Sequence, residues 1–464
     1  MFLIVEMASS HTAERDYILG VLLGEFLGLP WRREDSDRTD VRITLSGHPG
    51  EIRMPDCLLS VSEMDWLKPS SMPKLPLLAW NTSDLGLDAN VIDPVLPVIY
   101  GNEPQVVCRD EHGIRLPVDV FGSAFFMLSR YEELVTPDRD EHDRFPAWAS
   151  VAYKEGFLER PIVDEYVEVL WGAIQALWPG LQRQDRYFQM RVSHDVDRPS
   201  RYQFGGTRKF IRSWGGDIIK RGQWADSLRA PMIRAARKDQ LHPADPYNTF
   251  EWIMDLSEQQ GLVSAFYFIC GRTCGQRDAD YDIGHPAIRA LLRRIHQRGH
   301  EIGLHPSYGT YKSPSLLKWE ADRLRRICAE EGIKQQEWGG RMHYLRWETP
   351  VTMRGWEQAG MTYDSTLSYA DRPGFRCGTC HEYPAFDSLE GKTLNLRIRP
   401  LIAMECTVMA EKYLGLGLTD EAREKFVTLK NSCEKVNGVF TMLWHNSELT
   451  TTEHKALYES VVAT

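Results

Sequence analysis

Residues 189–199 read QMRVSHDVDRP, and our interpretation of the whole chain begins with this stretch. It starts inside a short strand predicted at 187–193 and ends at the turn-forming Pro199. Beyond the strand lie Asp195 and Asp197, two carboxylates whose like charges repel each other unless something compensates them. One carboxylate that binds a cation and a second that acts as a base would explain the pair. An Asx-turn that caps the strand is the alternative.

Length and charge exclude several classes of protein. A chain of 464 residues is too long for one ordinary core and predicts two or three domains. The net charge of −10 offers no basic surface to nucleic acid. The start, MFLIVEMASS, has too short an apolar run before Glu6 and no basic n-region for a signal peptide, and no apolar run approaches the roughly 20 residues of a membrane span. We therefore expect a cytoplasmic protein without a nucleic-acid partner or an integral membrane segment.

The nine cysteines are odd in number and scattered, which favours reduced thiols. Cys377, Cys380 and His381 form a C-x-x-C-H segment that matches both a redox and a haem-attachment pattern. Covalent haem would require export, for which the sequence shows no signal. A glycine-containing loop with buried thiols is the favoured interpretation, and a redox or metal role is the alternative.

Strand and helix patterns alternate from residue 187 onward, which predicts an α/β architecture with parallel strands. The predicted strands are 187–193, 263–269, 300–304, 337–341, 362–366, 394–404 and 439–444, and the predicted helices are 248–260, 286–298, 313–331, 350–359 and 420–433. A basic insertion at 198–245 is long enough to be functional, for example as a lid.

The N-terminal part predicts a separate α/β region whose role the sequence does not reveal. Its predicted helices are 15–29, 119–134 and 164–178, and its predicted strands are 41–45 and 57–60. The charged segment 138–144 is interpreted as a solvated loop.

Chemistry in such folds collects at the carboxyl ends of strands, and four of the predicted strand ends carry candidates. After Asp195 and Asp197 come His305, then a third group at 341–346, then His445. Strand alternation places His305 on the opposite face from His300, so His305 is the predicted ligand and His300 is predicted to pack.

The motifs SHDVD, GHEIGLH, RMHY and LWH occur in that order, and they resemble the motifs of the polysaccharide deacetylases of carbohydrate esterase family four, the NodB-homology enzymes. The segments FGSAFFMLSRYEE and YDSTLSYADRPGFRCGTCH further resemble a branch of bacterial proteins with an N-terminal domain of unknown function, some of them linked to O-antigen or capsule biosynthesis. The resemblance implies a distorted (β/α) barrel at 184–464, preceded by a smaller α/β accessory domain at 1–183.

The resemblance also implies roles for single residues. A divalent metal, with zinc as the expected ion, would be held by Asp197 and His305 and would activate water. Asp195 would be the general base, the backbone N–H of Tyr344 would stabilise the oxyanion, and His445 would protonate the leaving amine. The inserted Val196 leaves open which of the two aspartates is base and which is ligand.

The chain departs from the family pattern at a second metal histidine, where it has Gly309. We expect His343 to replace it, with His194 as the alternative. Arg341 and Arg376 are expected to bind substrate, Arg376 through a carboxylate or phosphate, although a structural arginine is an equal alternative for Arg376.

Three functions remain open at this point. The leading hypothesis is a metal-dependent hydrolase that removes an N-acyl group, such as N-acetyl, from a sugar or glycan precursor during surface-glycan biosynthesis. The alternatives are a non-catalytic glycan-binding or scaffold protein and a different metal-dependent C–N hydrolase, such as a deformylase or cyclic amidase. The oligomeric state is not indicated.

Overall fold

The computed structural model describes residues 1–102, 108–110, 113–219 and 224–463. The N-terminal strands are β1 (Leu3–Met7), β2 (Trp31–Asp35), β3 (Asp40–Leu45), β4 (Glu51–Pro55), β5 (Leu78–Asn81), β6 (Val95–Val98), β7 (Cys108–Arg109) and β8 (Gly113–Arg115). Six of them form a mixed sheet in the order β2-β1-β3-β4-β8-β7, and β5 and β6 form an antiparallel pair. The N-terminal region is therefore α/β.

The helices of this region are α1 (Thr12–Leu19), α2 (Val120–Leu128), α3 (Tyr131–Val135), α4 (Val151–Lys154) and α5 (Ile162–Leu177). The helix predicted at 119–134 is interrupted because Arg130 adopts a left-handed conformation with φ of 56°. The strand predicted at 57–60 is wrong. These residues form a tight turn instead, since the Asp119 carboxylate accepts hydrogen bonds from the N–H groups of Cys57 and Leu58.

A second sheet of nine strands occupies the C-terminal region. Its strands are β9 (Gln189–Val196), β10 (Ser264–Ile269), β11 (Glu301–His305), β12 (Gly339–Gly340), β13 (Tyr363–Asp364), β14 (Tyr383–Asp387), β15 (Lys392–Ile398), β16 (Ala403–Met404) and β17 (Val439–Leu443). The order is β14-β15-β13-β12-β11-β10-β9-β17-β16, and every pair except β14 with β15 is parallel. The outer strands β14 and β16 do not pair with each other in the described residues, so closure into a barrel remains a prediction.

The helices of this region are α6 (Thr207–Ile219), α7 (Trp224–Ala235), α8 (Phe250–Gln259), α9 (Pro286–Gln297), α10 (Pro314–Glu330), α11 (Val351–Gln358), α12 (Glu405–Met409), α13 (Asp420–Lys435) and α14 (Thr452–Val462). Their alternation with the strands confirms the predicted α/β class. All six residues of β10 are buried, as expected for a parallel strand covered on both faces. No helix in the described residues has the length and apolarity that crossing a membrane would require.

The strand predicted at 394–404 is wrong as a single element. Its first half forms β15 and pairs with β13, whereas its end forms β16 and pairs with β17 on the other side of the sheet. Pro400 lies between the two halves and offers no N–H for a continuous ladder. The insertion predicted at 198–245 contains α6 and α7, and its residues 220–223 lie outside the described part of the chain.

The N-terminal and C-terminal regions share buried polar contacts. The Tyr17 hydroxyl donates to the carbonyl of Pro384 at 2.9 Å, and the Thr379 hydroxyl donates to the Asp164 carboxylate at 2.6 Å. The boundary predicted at 183 falls in the segment that connects α5 to β9. The predicted division of the chain stays a prediction, but the two regions are held together by their cores.

Candidate active site

The carboxyl ends of β9, β11, β12 and β17 open on one cavity of about 740 Å³. These strands are parallel and close together in the sheet, so their carboxyl ends lie on the same edge. The cavity is lined by six of the predicted site residues, namely Asp195, Asp197, His305, His343, Tyr344 and His445.

Three donor atoms from the ends of these strands lie together. Asp197 Oδ1 is 3.3 Å from His305 Nε2 and 3.4 Å from His343 Nδ1, and the two ring nitrogens are 2.8 Å apart. The three residues form one of the groups whose geometry could hold a metal ion. The structure therefore brings the three predicted ligands to a single point.

Backbone carbonyls fix how the two imidazoles are oriented. His305 Nδ1 lies 2.6 Å from the carbonyl of Arg341, and His343 Nε2 lies 2.8 Å from the carbonyl of Arg277. A carbonyl only accepts, so each of these nitrogens carries a hydrogen, and the facing nitrogen of each ring can offer a lone pair to a cation when the ring is neutral. Asp197 Oδ1 is also buried, with no hydrogen-bond partner in the described residues. A carboxylate oxygen without a hydrogen-bond partner within the described part of the chain and two imidazole nitrogens that face it fit a cation.

The charge of Asp197 is favoured by its surroundings. Burial alone would raise the pKa of Asp197, but the imidazoles of His343, His305 and His445 hold that pKa well below its usual range. The carboxylate is therefore ionised. One carboxylate and two imidazoles make a donor set that suits zinc and other divalent transition ions.

His194, the alternative ligand, points away from this group. It is fully buried, its Nδ1 lies 2.7 Å from the carbonyl of Trp444, and its ring stacks on Phe266. Burial lowers the pKa of His194 to about 4, as expected for a neutral core histidine. The alternative ligand assignment is therefore wrong. His300 also packs away from the cavity, as predicted, with its Nδ1 accepting from the N–H of Ser264.

Asp195 is held by Arg341. The Nη1 of Arg341 donates to Asp195 Oδ1 at 2.8 Å, and the same guanidinium donates to Ser193 Oγ and to the carbonyl of Ser365. The other oxygen of Asp195 remains 3.7 Å from His305 Nε2. Arg341 is completely buried behind Asp195 and does not line the cavity. The expectation that Arg341 binds substrate is wrong, because its hydrogen bonds position the aspartate.

His445 is held by a partner that the sequence analysis missed. Its Nδ1 makes a short hydrogen bond to Glu405 Oε1, its backbone N–H donates to the same oxygen, and its Nε2 lies 3.8 Å from Asp197 Oδ2. Burial would lower the pKa of His445, but the carboxylate of Glu405 raises it well above its usual range. Glu405 therefore favours the protonated imidazole of His445, which is the form that can donate a proton. Glu405 directly follows β16, and His445 lies just after the adjacent strand β17. Glu405 therefore has the same signal as the predicted site residues, a polar side chain at the carboxyl end of a strand.

Tyr344 lies in a turn of unusual backbone conformation. Tyr344 and Leu345 both have positive φ, 62° and 54°, which turns the chain sharply after β12. The N-terminal region supports this turn, because Arg144 donates to the carbonyl of Tyr344 at 2.9 Å and Arg346 donates to the carbonyl of His142 at 2.7 Å. The interpretation of 138–144 as a solvated loop is therefore wrong at His142 and Arg144, which are both buried.

Arg376 lies outside the cavity. It is 2% exposed, and its guanidinium forms two hydrogen bonds to the Glu133 carboxylate at 2.9 and 2.8 Å and a third to the carbonyl of Ser368. The expectation that Arg376 binds a substrate anion is wrong, since Glu133 already occupies its guanidinium. The structural alternative describes it correctly.

The C-x-x-C-H segment forms a buried loop with free thiols at Cys377 and Cys380. Asp164 fastens this loop by accepting hydrogen bonds from Thr379 Oγ1 and from the backbone N–H of Cys380. Donor atoms of Asp164, Cys380 and His381 also lie within 4.8 Å of one another. Because hydrogen bonds from the loop occupy both oxygens of Asp164, the loop interpretation remains the favoured one.

One wall of the cavity is apolar. Leu345, Met404 and Leu443 line it and pack together in a small buried cluster. This wall adjoins the polar group formed by Asp197, His305 and His343, so a small hydrocarbon group could lie beside a polarised bond.

Comparison with known proteins gives a family match for the N-terminal region. Residues 3–179 match a family of unknown function, DUF7033. No curated protein matches the chain.

Similar solved structures include a protein from Mycobacterium smegmatis described as a polysaccharide deacetylase (14% identity, TM-score 0.38, 60% of this chain and 84% of that one). Others are the Puue allantoinase (11%, 0.35, 60% and 84%) and a protein from Pseudomonas aeruginosa PAO1 described as a polysaccharide deacetylase (13%, 0.35, 62% and 86%).

Proposed function

We propose that this chain is a metal-dependent hydrolase that removes an N-acyl group, in the first place N-acetyl, from a sugar. The observation that carries the proposal is the meeting of Asp197, His305 and His343 within 3.4 Å of one another. Asp195 and His445 each lie within 4 Å of this group, at 3.7 and 3.8 Å. A base, an acid and a cation site in one cavity are the parts that amide hydrolysis needs.

A divalent cation would be held by Asp197 Oδ1, His305 Nε2 and His343 Nδ1, with zinc as the ion that best suits these donors. The chemistry that such a cation supplies when bound is polarisation of the acyl carbonyl and acidification of a water molecule. The carbonyls of Arg341 and Arg277 keep both imidazoles in the tautomer that this role requires.

Asp195 would act as the general base. It takes a proton from the attacking water, whose oxygen bonds to the acyl carbon, and the backbone N–H of Tyr344 is proposed to stabilise the resulting oxyanion. The ion pair with Arg341 keeps the Asp195 carboxylate in place during this step. The free oxygen of Asp195, rather than the one bound by Arg341, would receive the proton.

His445 would act as the general acid. It donates its proton to the amide nitrogen as the C–N bond breaks, which yields a free amine and a carboxylic acid. Before this transfer, the carboxylate of Glu405 stabilises the protonated imidazole of His445. The apolar wall of Leu345, Met404 and Leu443 offers a place for the hydrocarbon part of the acyl group.

Two buried charged pairs argue against a non-catalytic binding protein. Arg341 with Asp195 and Glu405 with His445 each bury charge, which costs stability that a binding protein has no need to lose. A different C–N hydrolase would use the same groups, so the choice of an N-acylated sugar rests on the sequence resemblance. The same holds for a place in surface-glycan biosynthesis.

To test the proposal, zinc-loaded protein is incubated with a panel of N-acetylated sugars, N-formylated sugars and cyclic amides, and hydrolysis of each compound is measured. Release of acetate from the N-acetylated sugars, absent in the Asp195→Asn variant, would support the proposal. Turnover of only formyl or cyclic substrates would replace it with the other hydrolase. No turnover combined with tight binding of the sugars would indicate a binding protein.

A further inference from the structure

Four arginines surround the mouth of the cavity, and we call them the arginine rim: Arg198, Arg208, Arg272 and Arg277. All four are exposed, and none has a carboxylate within 4 Å among the described residues. The net charge of the chain is −10, so four guanidinium groups in one cavity, without a carboxylate partner in the described ranges of the chain, do not reflect a generally basic surface.

The arginine rim lies directly beside the candidate metal ligands. Arg198 follows Asp197 in the chain, and the carbonyl of Arg277 accepts the hydrogen bond from His343. Arg272 and Arg277 belong to the segment that follows β10, and the guanidinium of Arg277 lies 4.4 Å from the centre of the Tyr308 ring. The positive charge of the rim therefore lies in the same cavity as the candidate metal site.

The other charges that line the cavity already have partners. The three remaining cations are paired: Lys209 with Asp280 at 2.7 Å, Arg144 with Asp140 at 2.7 Å and Lys412 with Glu141 at 2.6 Å. Among the acids, Asp278 accepts from the backbone N–H groups of Thr273, Cys274 and Tyr308. Glu448 interacts electrostatically with Arg198, but burial and the neighbouring Glu405 raise the pKa of Glu448, which weakens its negative charge. The rim therefore provides unbalanced positive charge.

We propose that the arginine rim binds a phosphate or diphosphate group attached to the sugar whose acyl group is removed. This inference rests on the proposed function and names the class of substrate. Guanidinium groups match phosphate oxygens in a bidentate way, and several arginines around one point suit an anion with more than one charge better than a single carboxylate. The cavity of about 740 Å³ lies within the range of roughly 300–1,000 Å³ for small-molecule sites, which leaves room for such a group beside the sugar.

The first experiment is calorimetric titration of the zinc-loaded protein with inorganic pyrophosphate. The Arg208→Gln/Arg272→Gln double variant, which changes no residue in contact with a proposed ligand, should bind it about ten- to a hundredfold more weakly than wild type, since each variant position loses a charged hydrogen-bond donor. Arg326→Gln is the matched control, because Arg326 is an exposed arginine of α10 outside the cavity, and it should bind as wild type does. If pyrophosphate binds only to the metal, its binding should be lost in Asp197→Ala and retained in the arginine double variant. That result would overturn the inference.

The second experiment compares KM for neutral N-acetylglucosamine, for a nucleoside-diphosphate-linked form and for a lipid-diphosphate-linked form. The double variant should raise KM for the phosphorylated substrates and leave the neutral sugar unchanged, and the better of the two linked forms identifies the carrier. Equal KM values for neutral and phosphorylated sugars in wild type would refute the phosphate site while leaving the hydrolase intact. Pyrophosphate binding that depends on the rim, without hydrolysis of any sugar, would refute the proposed hydrolase instead.

Discussion

The two aspartates at the end of β9 have different neighbours, and their neighbours suggest their roles. One oxygen of Asp195 is engaged by Arg341 at 2.8 Å, whereas Asp197 Oδ1 faces two imidazoles at 3.3 and 3.4 Å. An aspartate fixed by an arginine can accept a proton on its free oxygen, and an aspartate between two imidazoles can complete a metal site. The structure thus favours Asp195 as base and Asp197 as ligand.

We expect Asp195→Asn to lower kcat about 10²- to 10⁴-fold, the usual contribution of a general base, because the amide cannot accept a proton from water. Zinc content should stay at the wild-type level, as measured by elemental analysis of the same preparation. If zinc is lost together with activity, the two aspartates have the opposite roles.

His305→Ala and His343→Ala should each lose the bound metal, since two remaining donors hold a divalent ion poorly. The control is His300→Ala, whose side chain packs on the other face of the sheet and contacts no proposed ligand. Elemental analysis of protein purified without chelator measures the effect. Retention of metal in His343→Ala would mean that this imidazole is not the third ligand.

Glu405→Gln should move the alkaline limit of activity to lower pH. The carboxylate raises the pKa of His445 well above its usual range, so the imidazole of wild type stays protonated as pH rises. A neutral amide removes that effect, the pKa of His445 falls, and the acid loses its proton at lower pH. A kcat profile against pH measures the shift. An unchanged alkaline limit would show that His445 is not the group whose protonation controls the reaction.

At the level of elements, buried charge ties α3 to the segment after β13. Glu133 accepts two hydrogen bonds from Arg376 and one from Arg130, and all three side chains are almost fully buried. Although burial alone would raise it, Arg376 and Arg130 lower the pKa of Glu133 to about 2, from an ordinary value of 4.5. The ion pair between Glu133 and Arg376 therefore links the two regions of the chain only while the Glu133 carboxylate is ionised.

Arg376→Ala should lower the free energy of unfolding by about 3–5 kcal/mol, because it leaves a buried carboxylate without its main partner. Urea denaturation measures the effect, and Arg326→Ala at an exposed position should stay within about 0.5 kcal/mol of wild type.

The loss of unfolding free energy in Arg376→Ala should also depend on pH. Because the pKa of Glu133 is depressed in the folded protein, its stabilising contribution is present above about pH 4.5 and disappears as pH falls toward 2. The difference in unfolding free energy between wild type and Arg376→Ala should shrink over that window. A difference that stays constant with pH would show that the arginine stabilises the fold by packing alone.

Sequence patterns predicted the elements that carry local signals. The strand ends at Asp195, His305 and His445 were recognised because short buried runs precede polar residues there. The split of 394–404 is not predictable locally, because its two halves pair with different strands and a local pattern does not specify pairing partners. The sequence leaves substrate binding and a structural role equally open for Arg376 for the same reason, since Glu133 lies 243 residues away.

At the level of the whole molecule, the core is continuous across the predicted boundary at 183. Buried residues of the N-terminal sheet and of the nine-stranded sheet belong to one cluster. The polar contacts between Tyr17 and Pro384 and between Asp164 and Thr379 add direct links across it. Sequence composition indicates where a chain could divide into domains. Cooperative unfolding depends instead on contacts between residues far apart in the sequence, such as those across residue 183.

We therefore expect the chain of 464 residues to unfold in a single calorimetric transition, with equal calorimetric and van't Hoff enthalpies. Two resolved transitions would show that the regions before and after residue 183 fold independently. The Arg376→Ala variant extends the test, since weakening the link between the regions should separate the transitions if the shared contacts cause the coupling.

The hydrogen bond from Arg144 to the carbonyl of Tyr344 affects whether the two regions of the chain can be exchanged separately during evolution. The turn that carries Tyr344 belongs to the C-terminal sheet, yet a residue of the N-terminal region holds it in place. A recombination event that exchanged the N-terminal region for an unrelated one would keep every proposed ligand and lose the support of this turn. The two regions should therefore be passed on as a pair, and a search of genomes should find Arg144 and the Tyr344 turn together or not at all.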